Sequence, residues 1–217
     1  MTRPFLACHV TDRCARSCAH CLRDPAGEPR DLPVALFARV LDQAREVFGI
    51  DHAGLTGGEP ALHPELPALL DAVAGRGMTL HVVSSGSGFA RLLDALDAEP
   101  ARREALERVE LSLDGATEAV HDAVRGDGSF REVNAAILAC HARGLRFTVQ
   151  MAVNARNEAD VEAVGLAAAQ LGAERVSFGM TFPTGGDADA SLFLPADRLA
   201  AVRDRVDRLA GVLRIPV

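Results

Sequence analysis

The chain contains no lysine, no tryptophan and no tyrosine; all 23 of its basic residues are arginine, and phenylalanine supplies its nine aromatic side chains. Without lysine there is no Schiff base, no pyridoxal phosphate attachment and no phosphate-binding lysine of the Walker type. A genome-wide codon bias accounts for arginine-only, alanine-rich usage. An excess of positive charge is missing too. The formal net charge is −7, which gives no general attraction to phosphate backbones or anionic lipids, and the arginines form no cluster. No apolar run approaches the roughly 18–20 residues of a membrane helix. The stretch Phe5–Val10 is too short for a signal peptide and lacks a small-residue cleavage site after it. These absences point away from nucleic acid and membrane partners and towards a cytoplasmic protein. In that reducing compartment its five cysteines are thiols or metal ligands.

What is present is an ordinary globular composition, 48% hydrophobic and 24% charged over 217 residues, enough for one sizeable domain spanning 1–217. Strand-like runs fall at Phe5–Val10, His52–Thr56, Thr79–Ser84, Arg108–Leu113, Leu145–Val153 and Arg175–Thr181. Helical stretches lie near Pro33–Phe48, Pro64–Ala74, Gly88–Leu96, Thr117–Val124, Phe130–Arg143, Asn157–Leu171 and Pro195–Leu209. Asn157 is expected to cap the helix after it, with Gly172 closing that helix and Gly144 the one before strand five. The last residues, Leu213–Val217, read as the beginning of another strand. Six β/α units in series define an α/β protein with a parallel sheet, either open and doubly wound or barrel-like.

The strand ends favour the barrel. Functional groups in parallel α/β folds gather at the carboxyl ends of the strands, and nearly every unusual segment lies there. A cysteine-rich loop follows strand one, Thr56-Gly57-Gly58-Glu59-Pro60 strand two, Ser84-Ser85-Gly86 strand three and Asp114-Gly115 strand four. Asn154 ends strand five, and Pro183-Thr184-Gly185-Gly186 follows strand six. Strands four to six alternate strictly: Val109, Leu111 and Leu113 oppose Glu110, Ser112 and Asp114, and Phe147, Val149 and Met151 oppose Thr148 and Gln150. A polar inner face implies a wide, incomplete TIM-like (β/α)6 barrel rather than a filled one.

The sharpest local signal is Cys14-Ala15-Arg16-Ser17-Cys18-Ala19-His20-Cys21. Three thiolates in a C-x3-C-x2-C array hold a [4Fe–4S] cluster with one iron left open to a small molecule. Structural zinc is the alternative, with His20 or His9 as a fourth ligand, and would make the chain a non-catalytic binding module. Cys140 and Cys8 read as packed, and His63, His121 and His141 carry no ligand spacing.

The array resembles the signature of the radical S-adenosylmethionine (SAM) superfamily. Gly57-Gly58-Glu59-Pro60 resembles that family's GGE motif. Leu111-Ser112-Leu113-Asp114-Gly115 and His121-Asp122-x2-Arg125-Gly126-x-Gly128-Ser129-Phe130 resemble its peptide-modifying, SPASM-type branch. The resemblance implies a partial barrel in which Cys14, Cys18 and Cys21 hold the cluster. It also implies that SAM, bound through its amino and carboxylate groups, yields a 5′-deoxyadenosyl radical that abstracts hydrogen from substrate. Gly57 and Gly58 would let backbone approach the methionyl amine, Glu59 would accept from it, and Arg125 would grip the carboxylate. Ser112, Asp114 and Asn154 would stand near the ribose, with Gln150, Ser84 and Ser85 weaker candidates, and the His20 ring near adenine. Implied partners are an electron donor of flavodoxin or ferredoxin type and a ribosomal peptide or, alternatively, a small molecule or nucleoside. The Cys-rich C-terminal extension usual in that branch, with its auxiliary clusters, reads as absent or truncated.

Overall fold

A computed structural model describes residues 4–23, 27–182 and 189–217. The motif Pro183–Gly186 lies outside the described residues. Six strands form one sheet in the order β1-β2-β3-β4-β5-β6. The strands follow chain order, without the reversal that marks an open doubly wound sheet. The fold is the α/β, incomplete (β/α)6 arrangement. The chain divides into two compact units, Met1–Ala15 with Pro25–Val109 and Arg16–Asp24 with Glu110–Val217.

The first unit holds β1 (Leu6–Thr11), α1 (Val34–Phe48), β2 (His52–Gly57), α2 (Leu66–Ala74), β3 (Thr79–Ser84), α3 (Phe89–Asp97) and α4 (Pro100–Ala105), with the start of β4 (Leu106–Ser112). Parallel pairing sets Cys8 beside Leu55 and Leu55 beside Val82. Phe37, Leu41 and Ala44 recur at helical spacing and are the buried residues of α1, and Gly49 at φ 64° closes that helix. Phe37, Leu41, Leu55, Leu69, Leu80 and Leu92 are wholly buried, each contributing about 1.5–3 kcal/mol by leaving water.

The other face of these strands carries a buried histidine pair. His52 Nε2 and His81 Nδ1 lie 2.8 Å apart, the rings stack at 5.0 Å, and Phe5 meets His81 edge-on at 5.1 Å. Thr79 Oγ1 is 2.8 Å from His52 Nδ1. Gly54 makes the room: a Cβ there would lie 2.6 Å from the His81 ring.

The second unit continues through α5 (Glu118–Arg125), α6 (Ser129–Ala142), β5 (Phe147–Val153), α7 (Val161–Gln170), β6 (Val176–Met180) and α8 (Ala196–Val212). Val109, Leu111, Val149, Met151 and Val176 are wholly buried, so the apolar phase of the alternation is the core phase. Gly144 and Gly172 sit at φ 59° and 78° just past their helices, as expected of C-terminal glycines.

One helix was not expected and two expectations need correction. Six residues of α4 run straight into β4; a helix so short, burying only Ala105, has no period to read. Asn157 does not cap a long helix. It precedes a 3-10 turn over Glu158–Asp160, with no side-chain cap bond, because its amide is drawn inward to other partners. The tail beyond Val212 is not assigned as a strand; it offers one sheet-like bond, with Pro216 O accepting from Val176 N–H at 3.0 Å.

Candidate functional site

In the first unit the site is built where β1 and β2 end. Gly58 N–H donates to Thr11 O (2.6 Å) and Glu59 N–H to Arg13 O (2.7 Å), tying the GGE segment to the residues that lead into Cys14. A Cβ on Gly57 would lie 2.4 Å from Thr11 O, and one on Gly58 2.3 Å from Arg13 O. The glycines are thus required by the protein's own loop, where sequence reasoning looked for close approach to a ligand. Asp31 steadies the same loop, accepting from Thr11 Oγ1 (2.6 Å) and Arg13 Nε (3.0 Å).

Glu59 is fully buried. Its Oε2 accepts from the Ser85 amide (2.9 Å) and hydroxyl (2.8 Å), while its Oε1 is buried without a hydrogen-bond partner among the described residues. Burial raises its pKa above the usual carboxylate range, and hydrogen bonds from Ser85 and Ser84 partly offset that rise. A buried acceptor with no donor is costly unless something completes it. An ammonium is the natural complement. Ser84 also serves the turn, its Oγ accepting from Gly86 N–H at 3.0 Å.

In the second unit the later part of the cysteine loop is pinned to the end of α5. Ala19 N–H donates to Val124 O (2.8 Å), Cys18 Sγ stands 4.0 Å from Arg125 O, and Arg16 reaches Asp127 O (2.6 Å) and Glu132 Oε2 (2.6 Å). Asp122 holds the intervening loop by accepting from Gly128 N–H (2.6 Å), Ser129 Oγ (2.8 Å) and Phe130 N–H (2.8 Å). Those bonds explain the H-D-x-x-R-G-x-G-S-F pattern: Asp122 shapes the turn that carries Arg125 and supports the thiols. Cys14 and Cys18 are half-buried and Cys21 is exposed. Cys8 is buried within β1, and burial pushes its thiol up to about 11.

Asp114 is the hub of this half. It is wholly buried; Oδ1 accepts from Ala152 N–H (2.7 Å) and Oδ2 from Arg125 Nε (2.5 Å). Its own N–H donates to His121 Nδ1 (3.0 Å), and Asn157 Nδ2 donates to its carbonyl (3.0 Å). His20 Nε2 is 4.0 Å from Oδ2, and His20 Nδ1 is buried without a partner among the described residues. Burial lowers the His20 pKa, with Asp114 opposing and Arg125 assisting. Ser112 is 8% exposed at the end of β4. Asn154 is fully buried, its side chain engaged with Arg156 N–H (2.9 Å) and Ala152 O (3.0 Å).

Sequence reasoning gave His121 no role, read Asn157 as a helix cap and met Asp122 only within the longer motif. His121 is wholly buried, and burial, then the Arg125 charge, drops its pKa from 6.5 to about 4. A base with a depressed folded pKa binds its proton more readily when unfolded, so its contribution to stability falls as pH drops from 6.5 towards 4. The expected loss between pH 7 and pH 5 is about 2 kcal/mol. Glu59 acts in the opposite sense, so the comparison with His121→Asn isolates the effect. Denaturant unfolding at stepped pH should show the variant with the shallower acid dependence.

The model of the radical SAM superfamily matches residues 8–168, and the chain belongs to that superfamily. Its members use a [4Fe–4S] cluster and SAM. More particularly, it is similar to the PqqA peptide cyclase of Ruegeria pomeroyi, 33% identical over 171 residues, covering 77% of this chain and 44% of the relative. It is also similar to the PqqA peptide cyclase of Streptomyces rochei, 30% identical over 201 residues, covering 91% of this chain and 54% of the relative. The chain spans about half the length of the curated relatives it matches. In fold it resembles Streptococcus suis SuiB bound to S-adenosylmethionine, with a TM-score of 0.78 and 14% identity over 98% of this chain and 49% of the other. Native anSMEcpe with bound AdoMet and the Kp18Cys peptide gives a TM-score of 0.70 and 16% identity, over 98% of this chain and 64% of the other.

Proposed function

We propose that this chain is the SAM-cleaving core domain of an enzyme that activates a C–H bond in a ribosomally made peptide. The observation that carries the reading is the buried, unpartnered Oε1 of Glu59, placed where the loop leading to three cysteines is fastened. Cys14, Cys18 and Cys21 hold the cluster: thiolates are the ligands such clusters take, and three of them leave one iron open. Cluster and SAM, when bound, supply a 5′-deoxyadenosyl radical.

The protein's part is to bind and orient. Glu59 accepts from the methionyl ammonium, beside the backbone of Gly57 and Gly58. Arg125 takes the carboxylate, its guanidinium aimed by the Asp114 bond. Ser112 and His20 flank the nucleoside. Asp114 and Asn154 are positioning residues, since their side chains are committed within the protein. The names of the relatives support a peptide substrate. An electron donor of flavodoxin or ferredoxin type would reduce the cluster. Five cysteines with no disulfide among the described residues suit a cytoplasmic setting, and no described helix is long and apolar enough to cross a membrane.

Anaerobic reconstitution with iron and sulfide, followed by reduction with SAM present, tests the reading. Release of 5′-deoxyadenosine supports it, and a change in mass of an added precursor peptide extends it to the substrate. Stoichiometric zinc with no SAM cleavage sinks it.

A further inference from the structure

The face of β4–β6 that points away from the core is polar, and the site so far described uses only its upper end. Leu113 N–H donates to Gln150 O at 2.9 Å, a parallel bond that sets Ser112 beside Gln150 and Glu110 beside Thr148. On the other side Gln150 pairs with Ser177 and Ala152 with Gly179, and the same register, one pair back from Val149–Val176, sets Thr148 beside Arg175. Two rows result: Glu110–Thr148–Arg175, and above it Ser112–Gln150–Ser177. The next level, Ala152 and Gly179, is small, and a Cβ on Gly179 would meet nothing closer than 3.7 Å. Gln150, Ala152, Ser177 and Gly179 are all half-buried, so the face opens on space rather than on packing.

The lower row is under-satisfied. Thr148 is 3% exposed, and its Oγ1 is buried without a hydrogen-bond partner among the described residues; the same holds for Arg175 Nε. Arg175 and Glu110 face each other only loosely, at 3.8 Å. Buried polar atoms without partners in a native fold call for a ligand or solvent to complete them. The open atoms of the row are a guanidinium N–H, which donates, and a hydroxyl, which donates or accepts. That combination fits a neutral group carrying one donor and one acceptor, an amide. The upper row, an amide between two hydroxyls, fits the same group.

We propose that these two rows form a subsite for the backbone of an extended peptide lying along β5. The rows are two residues apart on each strand, about 6.6 Å, which is also the repeat at which an extended peptide presents successive amides on one side. The subsite therefore reads main chain rather than side chain, and the small level of Ala152 and Gly179 leaves room for the residue above it. This inference rests on the peptide reading above and adds to it where the substrate is held.

The test uses the full chain labelled with 15N and, as probe, acetyl-tetra-alanine amide against its N-methylated counterpart. The side-chain amide signal of Gln150 should shift on titration with the first and not with the second. Thr148→Val and Gln150→Leu should each weaken binding about fivefold, with thermal unfolding checked to show both folded. No shift up to the solubility limit, an equal shift with the N-methylated peptide, or the same shift with uridine overturns the proposal, the last in favour of a nucleoside site. SAM cleavage measured on the same protein separates this from the reading it rests on. Cleavage without a peptide-induced shift sinks only the subsite, whereas a shift without cleavage upholds the subsite and sinks the SAM enzyme.

Discussion

Glu59→Gln is expected to make the apoprotein more stable and its hold on SAM weaker. The carboxylate is fully buried and burial pushes its pKa up, so above the ordinary carboxylate range the folded state bears the cost of either burying the charge or holding the proton. Glutamine keeps an oxygen for the Ser85 amide and hydroxyl and removes the charge. An acid whose folded pKa is raised destabilises the fold above that pKa, and this cost disappears as pH falls to the unfolded value. The stability gain of the variant is therefore largest at neutral and alkaline pH and vanishes in acid. Affinity for SAM should move the other way. A hydrogen bond to a charged group contributes about 1.5–3 kcal/mol, so binding should weaken by roughly 10- to 150-fold. Denaturant unfolding of the apoprotein and equilibrium dialysis of labelled SAM read the two effects separately. A variant that loses stability and keeps its SAM affinity would remove Glu59 from the site.

Asp114→Ala is expected to be the more damaging change to the fold. The carboxylate joins Arg125, at the end of α5, to the Ala152 N–H of β5, and no solvent reaches it. Removing one partner of a buried ion pair costs about 3–5 kcal/mol, and here it also strands a backbone donor. Arg125 is the proposed carboxylate clamp, and its own carbonyl and that of Val124 meet Cys18 and Ala19. Loss of aim at Arg125 should thus appear as lower iron and sulfide content after reconstitution as well as lower SAM affinity. Asp114→Asn, which keeps an acceptor for the Ala152 N–H, should recover part of the stability and little of the SAM affinity. Equal losses in the two variants would make Asp114 a fold residue only.

The parts of this site legible in sequence are those whose chemistry demands a residue type at a fixed spacing. Cysteines with three and two residues between them, a Gly-Gly-Glu after a strand, and an arginine before a glycine turn each stand out locally. The histidine and amide that hold Asp114 do not. Asn157 lies 43 residues beyond it in sequence, and its donated bond to the Asp114 carbonyl overrides a helix cap that local pattern favours. The close approach of Gly58 to Arg13 O is likewise invisible in sequence, because spacing tells where a side chain is missing and not all that fills the gap. The strand alternation served best, since a period of two fixes both faces at once. It identified the polar rows of β4 and β5, although nothing in one strand alone reveals that Thr148 stands unpartnered between Glu110 and Arg175.

The direct passage from α4 at Ala105 into β4 at Leu106 makes chain length there as constrained as residue type. Most helix–strand junctions carry a few loop residues that absorb an added or lost position; this one has none. One extra residue would rotate β4 by half its period, turning Val109 and Leu111 outwards and Glu110 and Ser112 into the core. Descendants of this gene can therefore drift in composition across the junction far more readily than they can change its count. In a set of natural variants, insertions should be scarce at 105–106 and common in the exposed turns.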